Sequence, residues 1–202
     1  MSRTPRLGAK DRIRNAAIDL FSTRGFEAAS VREIVSKAGV SKPTLYYYFR
    51  DKAALAQELL TVTSKEFREV ILKSSQDEPD FTEAVSELIY KHCHYASRHL
   101  KFVRFLFATL FGNVGPSRLQ NVIAALQQSR KDSEAFVQRA AARHGLSPAA
   151  AAHLPEVVMS VIYMEIMGEV VGLRSAITRR RARSLSRFLV SGTQHLAGKE
   201  AH

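Results

Sequence analysis

Apolar residues recur along this chain at steps of three and four, with no sustained alternation of two, so the pattern predicts helices and no sheet. Ile13, Ala16, Ala17, Leu20 and Phe21 form the apolar face of a first helix over about Ala9–Arg24, and Gly25 stands where a left-handed residue would end it. Ser30 offers an N-cap hydroxyl with Glu33 three residues on, a capping box. Val31, Ile34, Val35 and Ala38 mark the buried face of the short second helix that follows, which Gly39 stops. Ser41 caps a third, with Pro43 in the first turn, where a missing N–H costs nothing. Asp51 is the next N-cap, and from Lys52 a long amphipathic helix carries Leu55, Leu59, Leu60, Val62, Phe67 and Ile71 as far as polar Ser74–Pro79. Further helices are predicted over about Asp80–Ser97, Lys101–Phe111, Ser117–His144, Pro148–Arg174 and Thr178–Ala197, with Pro155 as a kink in the eighth. The expected fold is all-α, with about nine helices.

The second and third helices are short, amphipathic and joined by Ala38-Gly39-Val40-Ser41. That is the spacing of a helix-turn-helix, whose second helix enters the DNA major groove. Here that helix runs Lys42-Pro43-Thr44-Leu45-Tyr46-Tyr47-Tyr48-Phe49, which concentrates a cation, a hydroxyl and three phenols in one element. At about 100° per residue Leu45 and Phe49 share one face. Pro43, Thr44, Tyr46 and Tyr47 therefore turn outward, and Lys42 sits at the exposed start. Such side chains suit groove edges and phosphates.

Charge sharpens this picture. The chain of 202 residues has 30 Lys plus Arg against 19 Asp plus Glu, a net +11, which favours polyanionic partners. Through Lys52 there are 11 basic and 5 acidic side chains, from Ala53 to Gly172 12 and 13, and from Leu173 onward 7 and 1. A neutral middle between two basic ends suggests that one or both ends meet a polyanion. Lys10, Arg12, Arg14, Arg3 and Arg6 could reach the DNA backbone. The tail cluster Arg174, Arg179, Arg180, Arg181, Arg183 and Arg187 is either a second nucleic-acid or acidic-lipid contact or, as favoured, a solvated face around a break between helices.

Composition excludes several classes. The one cysteine, Cys93, rules out an intrachain disulfide and a Cys-rich zinc site. His92, Cys93, His94 and His99 lie close together, yet no pair has the i, i+4 spacing that places two ligands on one helical face, so no metal and no cofactor is expected. The longest stretch without Asp, Glu, Lys or Arg, Phe105 to Ser117, is 13 residues, short of the roughly 18–20 a membrane span needs. No apolar leader follows the basic first residues, and a cytoplasmic protein is expected. No Gly-rich phosphate loop, Gly-x-Ser-x-Gly elbow or His-Glu-x-x-His pair is present, so an enzyme is not expected.

Gly25 to Leu55 resembles the N-terminal signature of the TetR/AcrR family of bacterial transcription regulators. The resemblance rests on Gly25-Phe26, Ser30-Val31-Arg32-Glu33-Ile34, Ala38-Gly39-Val40-Ser41, Thr44-Leu45-Tyr46, Tyr48-Phe49 and Lys52 followed by Leu55. It implies a DNA-binding head over residues 1–52, three helices carrying the helix-turn-helix, and a ligand-binding and dimerisation bundle over 53–202. It implies that Arg32, Lys42, Pro43, Thr44, Tyr46 and Tyr47 approach bases, near the capping Ser41, and that Tyr48 and Lys52, with the fourth helix's N-terminal amides, clamp phosphate.

Beyond the head the residues are read on their own. Lys101–Phe111 is apolar nearly all round, and a helix buried on every side lies inside a bundle, where aromatic-lined pockets occur. An apolar or aromatic ligand is expected against Phe67, Cys93, Phe102, Phe105, Leu106, Phe107, Phe111, Tyr163 and Met167. The stretch Pro155–Arg174 is apolar apart from a thin stripe, Glu165 and Glu169, and Gly168 and Gly172 would let a neighbouring helix approach closely. With the last helix it forms the expected two-fold interface through Val161, Met164, Gly168, Val171, Gly172, Leu185, Phe188 and Leu189. The expectation is a homodimeric, ligand-responsive repressor of near-palindromic operator DNA. An architectural DNA-binding protein without effector, or an all-helical enzyme, stands as the alternative.

Overall fold

A computed structural model describes residues 7–73, 80–111, 116–146 and 148–199. Arg3, Arg6, the stretch Ser74–Pro79, Asn113 and Ser147 lie outside them. The described residues form ten helices and no strand: α1 (Ala9–Ala28), α2 (Val31–Ala38), α3 (Lys42–Tyr48), α4 (Lys52–Lys73), α5 (Phe81–Arg98), α6 (Leu100–Leu110), α7 (Pro116–Arg143), α8 (Pro148–Ala151), α9 (Leu154–Val170) and α10 (Arg179–Lys199). The expected eighth helix is two, because His153 and Pro155 start α9 afresh after the single turn of α8. Among the described residues no helix is long and apolar enough to cross a membrane.

The chain packs as two compact units, Met1–Thr63 with Leu100–Ala125, and Ser64–His99 with Leu126–His202. The first unit takes in α6 as well as the three head helices. Ile13, Ala17, Phe21, Ile34, Leu45 and Leu55 are among its fully buried side chains, joined by Phe105 of α6, whose ring lies 5.0 Å from that of Phe21. Asp19 of α1 draws in both Lys37 of α2, at 3.1 Å, and Lys101 of α6. α6 is thus one-sided rather than buried all round: Phe102, Val103, Phe105, Leu106 and Thr109 face inward, while Lys101, Arg104, Ala108 and Phe111 are exposed.

Local signals build the helix-turn-helix as the chain pattern predicts. Ser30 Oγ accepts from the Glu33 amide at 3.2 Å, and Glu33 Oε2 accepts from the Ser30 amide at 2.9 Å, the reciprocal capping box. The bond from the Ser30 amide foremost, and then one from the Ser30 hydroxyl, hold the Glu33 carboxyl below its ordinary value. Gly25 (φ +80°) breaks α1 one turn before its end, and Gly39 (φ +60°) turns the chain from α2 towards α3, a region costly to any residue with a Cβ. Ser41 Oγ accepts from the Thr44 amide at 3.3 Å and lies 2.8 Å from its hydroxyl, while Pro43 occupies the first turn. Ser41→Ala is expected to lower stability by about 0.5–2 kcal/mol in a denaturant titration, the usual worth of such a cap; an unchanged midpoint would show that the cap carries nothing here.

The second unit is organised around α5, which packs against α9 and α10 and buries Phe81, Val85, Leu88, Ile89 and Cys93 with Val158, Met159, Ile162, Ala182 and Val190. His92 is fully buried between the Leu88 carbonyl (2.9 Å) and the Ser133 hydroxyl (3.1 Å); burial pushes its pKa down to about 4, so it is neutral near pH 7. Burial, with Glu165 and Glu169 nearby, pushes the Cys93 thiol up to about 12, which keeps it protonated and poorly reactive.

α9 ends in a Schellman motif: Gly172 (φ +76°) donates to Glu169 O at 3.1 Å and Leu173 to Gly168 O at 2.8 Å. Gly172 is therefore a helix stop. Gly168 is buried beneath its own chain's Arg174, whose Cδ would lie 3.0 Å from an added Cβ. Within the chain, then, Gly168 is covered by Arg174, while Gly172 is exposed.

Candidate nucleic-acid interface

Leu45 is fully buried and Phe49 nearly so, which anchors α3 by one face and turns the other to solvent. Tyr47 is 81% exposed and Tyr46 50%. Tyr48, Ser41, Lys42 and Pro43 are exposed as well, Thr44 is half-buried, and Arg32 of α2 is exposed. The Tyr47 and Tyr48 rings meet edge to face at 5.0 Å, which restrains both on the surface. The structure therefore presents Arg32 and Lys42, neither with an acid partner among the described residues, alongside a row of phenols. A cation beside outward aromatic hydroxyls can donate to base edges and to phosphate oxygens and lie against thymine methyls.

Other head cations have partners within their own unit. Lys10 pairs with Glu58 at 2.9 Å, Arg14 lies 3.8 Å from Asp11, and Arg12 Nε donates to the Ala38 carbonyl at 3.1 Å. Lys52, expected at phosphate, donates in the DNA-free chain to the carbonyls of Phe26 (2.8 Å), Glu27 (3.3 Å) and Ala29 (3.0 Å). Its neighbour Asp51 caps α4 by accepting from the Ala54 amide at 2.7 Å, the bond that chiefly holds its carboxyl below the ordinary value.

The arginine tail is not a bare cationic face. Arg181 makes a two-pronged contact with Glu165 (2.7 and 2.8 Å) and Arg174 meets the same carboxylate. Arg183 does likewise with Glu83 (3.1 and 2.9 Å), and Arg179 pairs with Glu87 beneath the Tyr90 ring. Three carboxylates hold four of the six guanidiniums. Arg180 and Arg187 remain exposed. Glu165, read from the sequence as part of a charged stripe, is 7% exposed, and Val157, Tyr163 and Met164 of the same helix face outward.

The residues expected to line a ligand pocket divide between the units. Phe102, Phe105 and Leu106 are core of the first, and Phe111, 77% exposed, stacks on half-buried Phe107. In the second, Phe67 lies against His92 and Tyr95, both 5.1 Å between ring centres; Cys93 is buried, Met167 half-buried and Tyr163 exposed. Tyr95 and His99 also stack, at 4.2 Å.

The family of bacterial regulatory proteins described as the tetR family matches residues 13–59. Over that stretch the head and the start of α4 are similar to the TetR-family domain. YdgC of Bacillus subtilis (strain 168), an uncharacterized HTH-type transcriptional regulator, is 47% identical over 53 residues, 26% of this chain and 27% of YdgC. The chain thus matches about a quarter of that curated relative's length. Solved structures extend the likeness of fold to both units. The fatty acid degradation regulator FadR of Bacillus halodurans superposes with a TM-score of 0.77 at 15% identity, covering 94% of this chain and 98% of that one. The transcriptional regulator FadR of Bacillus subtilis, in complex with stearoyl-CoA, gives 0.69 at 15% identity, covering 91% and 96%. A TetR-type head followed by an all-helical second part is the shared architecture.

Proposed function

We propose that the chain is a transcriptional repressor that binds near-palindromic operator DNA as a homodimer and is released by an apolar or aromatic small molecule. One observation carries the reading: the outward face of α3, where Lys42, Tyr46 and Tyr47 are exposed around the buried anchors Leu45 and Phe49. Arg32, Ser41, Pro43, Thr44 and Tyr48 flank that face and complete the proposed contact. A monomer offers one such helix, and specific readout of successive major grooves needs two about 34–36 Å apart or a multiple of that. Met164 and Phe188, 64% and 78% exposed, with Val171, Val161, Leu185 and Leu189, form the proposed two-fold contact.

The effector is proposed to meet the aromatic group around Phe67, with Cys93, Met167 and Tyr163 in the same unit. Support for an apolar ligand comes from the stearoyl-CoA complex of the Bacillus subtilis relative. The effector must bind the DNA-incompetent state more tightly, and a coupling of about 1–3 kcal/mol corresponds to roughly 5–150-fold in operator affinity.

The decisive experiment selects a duplex from a randomised pool with the full chain and then measures Lys42→Ala and Tyr46→Ala on it. Each is expected to weaken specific binding by about 1–3 kcal/mol, roughly 5–150-fold, while an unrelated duplex loses less. Unchanged specific binding in both variants removes α3 from the reading. Salt-dependent binding indifferent to sequence in the parent chain would favour an architectural protein instead.

A further inference from the structure

A cleft of about 620 Å³ opens in the second unit where the start of α5, the turn after α7 and one side of α10 meet. That is the size of a small-molecule site. Phe81 and Val190, both buried, and half-buried Leu146 give it an apolar floor, while His144, Arg183 and Arg187 stand around it. The two acids on its α5 wall are already engaged. Asp80 caps α5 by accepting from the Glu83 amide at 2.8 Å, and Glu83 accepts from Arg183 Nε (3.1 Å) and Nη2 (2.9 Å). A guanidinium has five N–H donors, so this contact fixes the plane of Arg183 and leaves its Nη1 to a ligand. Arg187 is exposed and has no carboxylate partner among the described residues. The same two arginines also wall a smaller trough of about 460 Å³ with Arg180 and Ser184, so the α10 side of the cleft carries three guanidiniums.

We propose that this cleft binds a small amphipathic monoanion, whose apolar body lies on Phe81, Leu146 and Val190 and whose charged head meets Arg187 and the Nη1 edge of Arg183. A polyanion fits less well, because Asp80 and Glu83 line the same cleft and repel a second anionic group. The site is separate from both regions of the second unit invoked above. Arg183, Arg187 and Val190 follow one another at i, i+4 and i+7 and share one stripe of α10; Leu185, Phe188 and Leu189, of the proposed two-fold contact, stand on the opposite one. Phe81 begins α5, and His92, which meets Phe67, lies about 16 Å further along that helix at 1.5 Å per residue.

The test titrates the full chain with two fluorescent probes, anilinonaphthalene sulfonate and phenylnaphthylamine, the same aromatic body without the sulfonate. Arg187→Gln, at an exposed position, is expected to weaken the sulfonate about tenfold, the worth of one charge-assisted hydrogen bond, and to leave the amine unchanged. Leu146→Ala weakens both probes, since it removes floor rather than charge. Lys131→Gln is the control for charge alone: that side chain is exposed on α7, about 20 Å along the helix from His144, and its loss leaves the sulfonate affinity as it was. Sulfonate binding untouched by Arg187→Gln, or lowered equally by Lys131→Gln, overturns the site. So does amine binding untouched by Leu146→Ala.

Discussion

Phe105→Ala is expected to destabilise the first unit by about 3–5 kcal/mol, the range for truncating a buried phenylalanine without refilling its space. The ring is fully buried and packed on Phe21 of α1, whose own ring lies 5.5 Å from that of Phe26. Its loss opens a cavity between α6 and the first helix of the head. Urea titration of the full chain, followed by far-ultraviolet circular dichroism, reads the loss directly. A ligand-lining aromatic behaves differently: its truncation weakens effector affinity and leaves stability nearly untouched. Phe111→Ala is the internal comparison, since that side chain is exposed and is expected to cost under about 0.5 kcal/mol. Equal, small effects from both substitutions would return Phe105 to the pocket.

The double variant Arg174→Ala, Arg181→Ala is expected to cost about 3 kcal/mol at pH 7. Glu165 is buried, and removing its cations strands a carboxylate; breaking buried pairs costs about 3–5 kcal/mol. The lower figure applies because both arginine side chains are 46% exposed and water enters where they stood. Adding Glu165→Met should restore most of the loss, since the stranded charge goes with it. The pH dependence has a definite sign. The Arg181 hydrogen bond, opposed by burial and aided by Arg174, holds the Glu165 carboxyl below its ordinary 4.5. With a depressed folded value, its stabilisation is present above about pH 4.5 and is lost as pH falls through the folded value. Without the arginines only burial remains, which raises the value; the group then destabilises at neutral pH and is relieved by protonation as pH falls. The deficit relative to the parent chain should therefore shrink between pH 7 and pH 5. An equal deficit at both pH values would show that Glu165 does not depend on these arginines.

The helix-turn-helix was readable because its determinants are local. A Ser hydroxyl and a Glu carboxylate close hydrogen bonds within three residues, a left-handed glycine ends a helix wherever it stands, and Leu45 with Phe49 settles which phenols face outward. None of this needs the rest of the chain. α6 misled because composition reports how apolar a helix is but not which side is covered. α9 misled in the opposite sense, with acid inside and Met164 and Tyr163 outside, because the partners that make a buried carboxylate tolerable arrive from another helix.

The chain pattern by itself determined an all-helical protein with a helix-turn-helix near its start, since helix periodicity and caps act over one or two turns. Only tertiary structure decided what the cations do. Lys101 meets Asp19 across 82 residues, Arg183 meets Glu83 across 100, and Lys52 reaches back 26 to the end of α1. A charge run looks the same in sequence whether it faces solvent or a carboxylate. The difference lies in long-range proximity, which packing creates and local pattern does not contain.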